Sequence, residues 1–404
     1  MRIASAATLT VGNPQPQFGG RYFVFLKLTT EDGIEGIGEV YGAAFGPRPV
    51  QAMLEEVCDR HVIGADPFAI EALWRDVYGR GYSARSDITL LSVLSAVEMA
   101  MWDIVGKALE RPAYELLGGL VHERLRTYTY LYPEEGDPAD VYRDPDVAAE
   151  RAAAYADLGF TAVKFDPADR YTTLDPRQPG PGELDRVREY VSRIREAVGG
   201  RCDLLIGTHG QFTPSGAIRF ARVLEPFDPL WLEEPVPPDL PEQMAVVARS
   251  TSIPIAAGER LAGKFEFGRL LAAGAASILQ MDLGRAGGLL EAKKIAGMAE
   301  AHYAQIAPHL YCGPVVAAAN VQLAACSPNF LILEGIGCWD GFGAELLRSP
   351  IQWESGYVVP PAAPGLGVEL DETVARAHPY DGDALHLEPD YIDAPRARRA
   401  GRER

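Results

Sequence analysis

Six short apolar runs in the second half of this chain each end in a polar residue that could do chemistry. They are LLIGTH with His209, LWLEE with Glu233 and Glu234, PIAAGE with Glu259, SILQMD with Asp282, IAPH with His309 and FLILE with Glu334. Imidazoles and carboxylates transfer protons near neutral pH, and carboxylates also hold hard divalent cations. Taken singly, each is more simply a backbone-bonded histidine or half of a salt bridge. Their spacing says more: from Gly207 onward the intervals all lie near roughly 25 residues, the length of one strand, one helix and two short loops.

Two further runs precede the series, RTYTYLYP at Arg126–Pro133 and FTAVKFD at Phe160–Asp166, each followed by a helical stretch. Eight strands alternating with helices over about 210 residues fit an α/β fold of the (β/α)8 barrel class, in which catalytic groups stand at the C-terminal ends of strands. That end also receives Lys164 and Asp166. GRAGG at Gly284–Gly288 opens a helix, but the barrel spacing makes it an ordinary connecting loop rather than a phosphate cradle.

Ahead of the barrel, residues 21–41 alternate apolar and polar positions around Glu31–Gly33 and read as a β-hairpin. GIEGIG lies on its second strand, which argues against a dinucleotide fingerprint. Loops rich in glycine and proline flank the hairpin at Gly12–Gly20 and Gly42–Pro49, and loops of this kind on a rigid sheet can cover a ligand. Helical periodicity follows around Val50–Ile63, Pro67–Tyr78 and Thr89–Leu109. The last is nearly all apolar and reads as a core helix, with Trp102 as packing. A boundary is expected near Val121–Arg126, and the basic residues from Arg396 read as a disordered tail.

The chain has 404 residues, of which 47% are hydrophobic and 23% charged, enough for a large core. A formal net charge of −18 disfavours nucleic acid and anionic membranes as partners. Five widely spaced cysteines without a CxxC suggest neither disulfides nor a zinc site. No apolar window reads as a signal peptide or a membrane span, so a cytoplasmic location is expected.

AVEMAMWDIVGKALERPAYELLGG, LWLEEPV, TSIPIAAGER, ILQMDLGRAGGLLEAKKIAGMAEAH, APH followed by GP, and FLILE, in this order and at barrel spacing, resemble the enolase superfamily. Within it they resemble the mandelate racemase subgroup, and there the galactonate- and mannonate-type acid-sugar dehydratases. The resemblance implies a modified (β/α)7β TIM barrel over residues 126–345 and an N-terminal α+β capping domain over 1–125. It also implies a segment, 346–390, returning to the cap, with 391–404 as tail, and homo-oligomers. It further implies Mg²⁺ as cofactor and an acid sugar as substrate, dehydrated to a 2-keto-3-deoxy acid.

Carried over position by position, Glu233 and Glu259 become metal ligands, His309 the general base supported by Asp282, and His209 the general acid. Lys164 and Glu334 would contact the substrate carboxylate or enediolate. Tyr41, Arg48 and Arg170 are candidates for reading substrate hydroxyls or a second carboxylate. The sequence departs from the pattern at one place: the third strand of the dehydratases ends in Asp-x-His, with the Asp as first ligand, and here it reads Gly207-Thr208-His209. Asp166, on the neighbouring strand, is the candidate replacement ligand. The alternatives are a homologue that has lost metal-dependent turnover and, third, a racemase or epimerase, which the missing second-strand lysine at Asp166 disfavours.

Overall fold

The computed structural model describes residues 1–42, 45–82, 84–168 and 176–387; Arg170 and the tail from 391 lie outside them. Its N-terminal part is a three-stranded antiparallel sheet of β1 (Ile3–Gly12), β2 (Tyr22–Thr30) and β3 (Glu35–Val40). The expected hairpin is β2–β3, with Thr29 opposite Glu35 beside the turn. β1 was not expected, because its small residues IASAATLTVG give only a weak period-two signal, yet it pairs along β2 from Ile3 to Gly12.

Helices at Pro47–Val57, Ile70–Gly79 and Ile88–Ala108 follow. One expectation needs correcting here: the helix Ile88–Ala108 is long and apolar enough to cross a membrane by length and composition. Its apolar residues are instead buried in the cap, where Leu94, Val97 and Met101 pack with Val24, Leu26 and Leu28 of β2.

Eight parallel strands form the second part: β4 (Leu125–Tyr130), β5 (Ala162–Phe165), β6 (Asp203–Gly207), β7 (Trp231–Glu233), β8 (Ile255–Ala257), β9 (Ile278–Leu279), β10 (Gln305–Ile306) and β11 (Leu333–Gly335). Each pairs with the next from β4 to β10, and β11 pairs back onto β4. A bridge from Ile306 to Phe330 ties β10 to the segment entering β11. Every strand segment contributes one side chain to a buried layer of Tyr128, Ala162, Leu205, Trp231, Ala256, Ile278, Ala307 and Ile332, the packed interior such a barrel requires.

The C-terminal segment returns in two stages. β12 (Trp353–Glu354) and β13 (Tyr357–Val358) form a hairpin that adds antiparallel to β4. Beyond it, the Gly12 N–H donates to the His378 carbonyl and the Arg21 N–H to that of His386, fastening the segment to the cap.

Two cap carboxylates fix the cap to the barrel. The helices Leu289–Ala301 and Pro314–Ala325 start after Gly288 and Gly313, which offer no side chain to the first N–H groups. Glu98 of the core helix accepts from Leu289 and Leu290 N–H, at 2.6 and 2.8 Å. Glu39 of β3 accepts from Gly313, Val315 and Val316 N–H, at 2.6, 3.1 and 3.1 Å. A carboxylate at a helix N-terminus satisfies orphan donors and meets the positive end of the dipole. These helices follow the strand ends carrying Asp282 and His309, so the cap is registered on that part of the site. All five cysteines are free thiols.

Candidate active site

The strand-end residues converge. Lys164, on β5, places its ammonium 2.7 Å from Glu233 Oε1 and 3.3 Å from Glu334 Oε1, all three side chains being buried. Burial alone would lower the Lys164 pKa, but the two carboxylates hold it well above its usual value. Trp231 and Gln280 donate to the other Glu233 oxygen at 3.2 and 2.7 Å. Oε2 is thereby saturated, and Oε1 keeps one lone pair.

His309 stands on the loop after β10 with Nδ1 2.7 Å from Asp282 Oδ2 and Nε2 3.6 Å from Glu259 Oε1. Asp282 is itself fixed by the Gly284 N–H, and Asn320 donates to the His309 carbonyl. Burial would lower the imidazole pKa, but Glu259, Glu334 and Asp282 raise it to about 9. Across the site His209 Nδ1 lies 2.6 Å from Asp166 Oδ2. Its pKa, lowered by burial, is raised by Asp166 to about 9. Asp166 is pushed up by burial and pulled below its usual range by His209. Glu259 feels both imidazoles: burial raises it, and His309, His209 and Arg285 hold it well below the ordinary carboxylate range. His309 thus lies 3.6 Å from Glu259, and the carboxylates around both rings favour the imidazolium form. That form suits a general acid; base duty requires the neutral ring.

His209 has φ 49°, in the left-handed region, which costs a non-glycine residue on the order of 1 kcal/mol or more and is held here by its surroundings. Thr208 Oγ1 donates to the carbonyls of Glu233 and Glu234, and the Gly210 N–H to that of Glu234, tying this turn to the next strand end. Glu234 is buried in a salt bridge with Arg260, a structural role.

The chain matches the family model for the mandelate racemase/muconate lactonizing enzyme N-terminal domain over residues 16–118 and that described as enolase C-terminal domain-like over 146–374. It belongs to the mandelate racemase/muconate lactonizing enzyme family of the enolase superfamily. D-Galactonate dehydratase of Ralstonia nicotianae is 39% identical over 360 residues, covering 87% of this chain and 90% of that one. That of Xanthomonas oryzae pv. oryzae is 38% identical, covering 88% and 90%. A solved structure of a family protein from Labrenzia alexandrii superposes with a TM-score of 0.94 at 62% identity, covering 96% of this chain and 98% of that chain.

Members of the enolase superfamily generally use Mg²⁺. The donors present are of the right kind, but their arrangement does not supply a three-carboxylate shell. Glu233 is shared with Lys164, Trp231 and Gln280, and Asp166 is engaged by His209. Among the described residues no three His, Cys, Asp or Glu side chains gather as a metal cluster. Asp203, four residues before Gly207, pairs with Arg126 instead.

Of the substrate-reading candidates, Tyr41 is brought in, its ring centroid 5.7 Å from that of His309. Arg48 is not: exposed, it donates to the Asp381 carbonyl of the C-terminal segment, and among the described residues none of its bonds reaches the strand-end group. Two side chains went unread in the sequence. Arg285, treated only as part of a loop, is buried 3.6 Å over the Tyr41 ring and donates to the Glu259 and Gly42 carbonyls. Gln280 lies two residues before Asp282, just beyond the end of β9. A polar residue inside SILQMD, in phase with a catalytic candidate, was the signal available for it.

Proposed function

We propose that this protein is an acid-sugar dehydratase that removes the proton α to a carboxylate and expels the β-hydroxyl as water. The observation that carries the reading is the pair of strand-end histidines, each with a carboxylate beside its Nδ1, with His309 Nε2 also 3.6 Å from Glu259. In its neutral form His309 takes the α-proton through Nε2. Lys164 stabilises the negative charge that develops on the carboxylate oxygens, with Glu334 alongside. His209 gives its proton to the departing 3-hydroxyl, and the enol that remains tautomerises to a 2-keto-3-deoxy acid. One C–H and one C–O bond break, water leaves, and no oxidant is needed. The relatives named D-galactonate dehydratase support an aldonic acid as the substrate class. Glu233 and Glu259 are the carboxylates available to Mg²⁺, which when bound would neutralise enediolate charge. A cytoplasmic location and homo-oligomers belong to the same proposal.

A second reading, a homologue without metal-dependent turnover, draws on the absence of three convergent ligands among the described residues. A racemase is less supported, since Asp166 stands where such an enzyme would place a second lysine base. The test is a panel of aldonic and uronic-type acids at millimolar Mg²⁺, with 2-keto acid as the readout. Turnover on a panel member, cut at least about a hundredfold in His309→Asn, is expected from loss of a general base. No 2-keto acid from any member would favour the second reading.

A further inference from the structure

We propose that Asp166 is the positioning partner of His209 and not a replacement metal ligand. The loss of the carboxylate at position 207 and the gain of this second His–Asp dyad are then one exchange. The inference rests on the reading of His209 as the general acid, and its geometry stands on four observations.

Phe165 pairs with Ile206 in the parallel register of β5 and β6, so the next residues along, Asp166 and Gly207, are lateral neighbours at the strand ends. A Cβ built on Gly207 would fall 1.9 Å from Asp166 Oδ1. The Asp166 carboxylate therefore occupies the space where a side chain at 207 would begin, and it would have to swing away from His209 to admit an aspartate there. Its other oxygen, Oδ2, lies 2.6 Å from His209 Nδ1, and the nearby Tyr130 hydroxyl helps to hold the pKa of the carboxylate down.

The contact parallels that at His309, where Asp282, also reaching from the preceding strand end, is hydrogen-bonded to Nδ1 at 2.7 Å. A carboxylate on Nδ1 fixes the ring orientation and favours the imidazolium, leaving Nε2 to exchange the proton. Glycine at 207 is what lets the β5 carboxylate reach across to a histidine on the loop after β6. Asp166 thus acts through His209, as Asp282 acts through His309.

The test uses the full-length protein and needs no substrate. MgCl₂ is titrated calorimetrically into the parent, Asp166→Ala and the double variant Asp166→Ala/Gly207→Asp, with thermal melts verifying the fold. The expected result is that Asp166→Ala matches the parent within about twofold, whatever the parent's affinity. The double variant, which restores a carboxylate at 207 with the obstruction removed, should bind Mg²⁺ at least tenfold more tightly than the parent. In ¹⁵N-histidine spectra the His209 ring, assigned by its absence in His209→Gln, should lose its hydrogen-bonded Nδ1–H signature in Asp166→Ala and regain it in Asp166→Asn.

A tenfold or greater loss of Mg²⁺ affinity in Asp166→Ala would make Asp166 a ligand and overturn the proposal. So would an unchanged His209 spectrum, or a folded double variant that binds no more tightly than the parent. Because neither readout requires turnover, a failed acid-sugar panel would sink the proposed activity and leave this inference to be decided separately.

Discussion

Replacing Lys164 by methionine should destabilise the barrel by about 3–5 kcal/mol, the range for removing one partner of a buried ion pair. The ammonium sits 2.7 and 3.3 Å from the Glu233 and Glu334 oxygens. At an effective dielectric constant of ~20 these contacts carry about 6 and about 5 kcal/mol of gross attraction. Desolvation of the three ions, several kcal/mol each, absorbs most of that gain in the native protein. Methionine removes the attraction and leaves two buried carboxylates facing each other. One of them should then take up a proton in the folded state, so its folded pKa stands above its unfolded value. Stability from that uptake is present at low pH and lost as pH rises, which makes the defect larger at pH 8 than at pH 5. Equilibrium urea unfolding of Lys164→Met at both pH values measures this, and adding Glu334→Gln should recover at least half of the loss. A defect below about 1 kcal/mol at pH 8, or one that does not shrink at pH 5, would refute the buried triad as the organising charge of the site.

Two further outcomes are expected. His386, buried between Gly20 and Gly42 with its ring against Tyr22 and Tyr41, is held uncharged, burial and Arg285 pushing its pKa down from 6.5 to about 3. The unfolded segment binds the proton that the folded one refuses, so stability is complete above about pH 6.5 and falls toward pH 3, by at most about 5 kcal/mol. Amide exchange in residues 379–387, corrected for intrinsic rate, should therefore accelerate between pH 7 and pH 5, and His386→Leu should remove that dependence. Glu39→Ala leaves the Gly313, Val315 and Val316 N–H groups without their acceptor and should cost about 2–4 kcal/mol in urea unfolding. Glu39→Gln, keeping one oxygen, should cost less.

The positions of the strand-end residues that gather in space were legible because a barrel writes its strand ends at a regular period. Glu233, Glu259, Asp282, His309 and Glu334 all meet where that period places them, and the pairing of His309 with Asp282 follows from strand adjacency. Contacts between distant segments were not legible. Glu39 and Glu98 read as ordinary charges in a hairpin and a core helix, and nothing local says that they cap the N-termini of helices about 275 and 190 residues further on. Arg48 stood in a glycine-rich loop beside Tyr41, but loop neighbours in sequence diverge in space: Tyr41 turns toward His309 and Arg48 toward the C-terminal segment. The helix Ile88–Ala108 shows the same limit from the other side, since apolar content measures what can be buried and not which surroundings bury it.

Gly207 bears most directly on how a family pattern should be read. Compared with the pattern alone, it is a missing ligand, and Asp166 one strand away is the natural substitute because it restores the carboxylate count. Counting carboxylates, however, ignores what each is already bonded to. Asp166 lies 2.6 Å from the His209 imidazole, and its carboxylate stands where a side chain at 207 would begin. To coordinate a metal it would have to share that carboxylate with an ion that repels the imidazolium. If the ion prevailed, His209 would lose its proton and with it the capacity to protonate a leaving hydroxyl. The same carboxylate cannot favour the imidazolium and serve the metal at full strength. A chain that keeps His209 in its left-handed turn, facing Asp166, has its geometry set for the first of those roles.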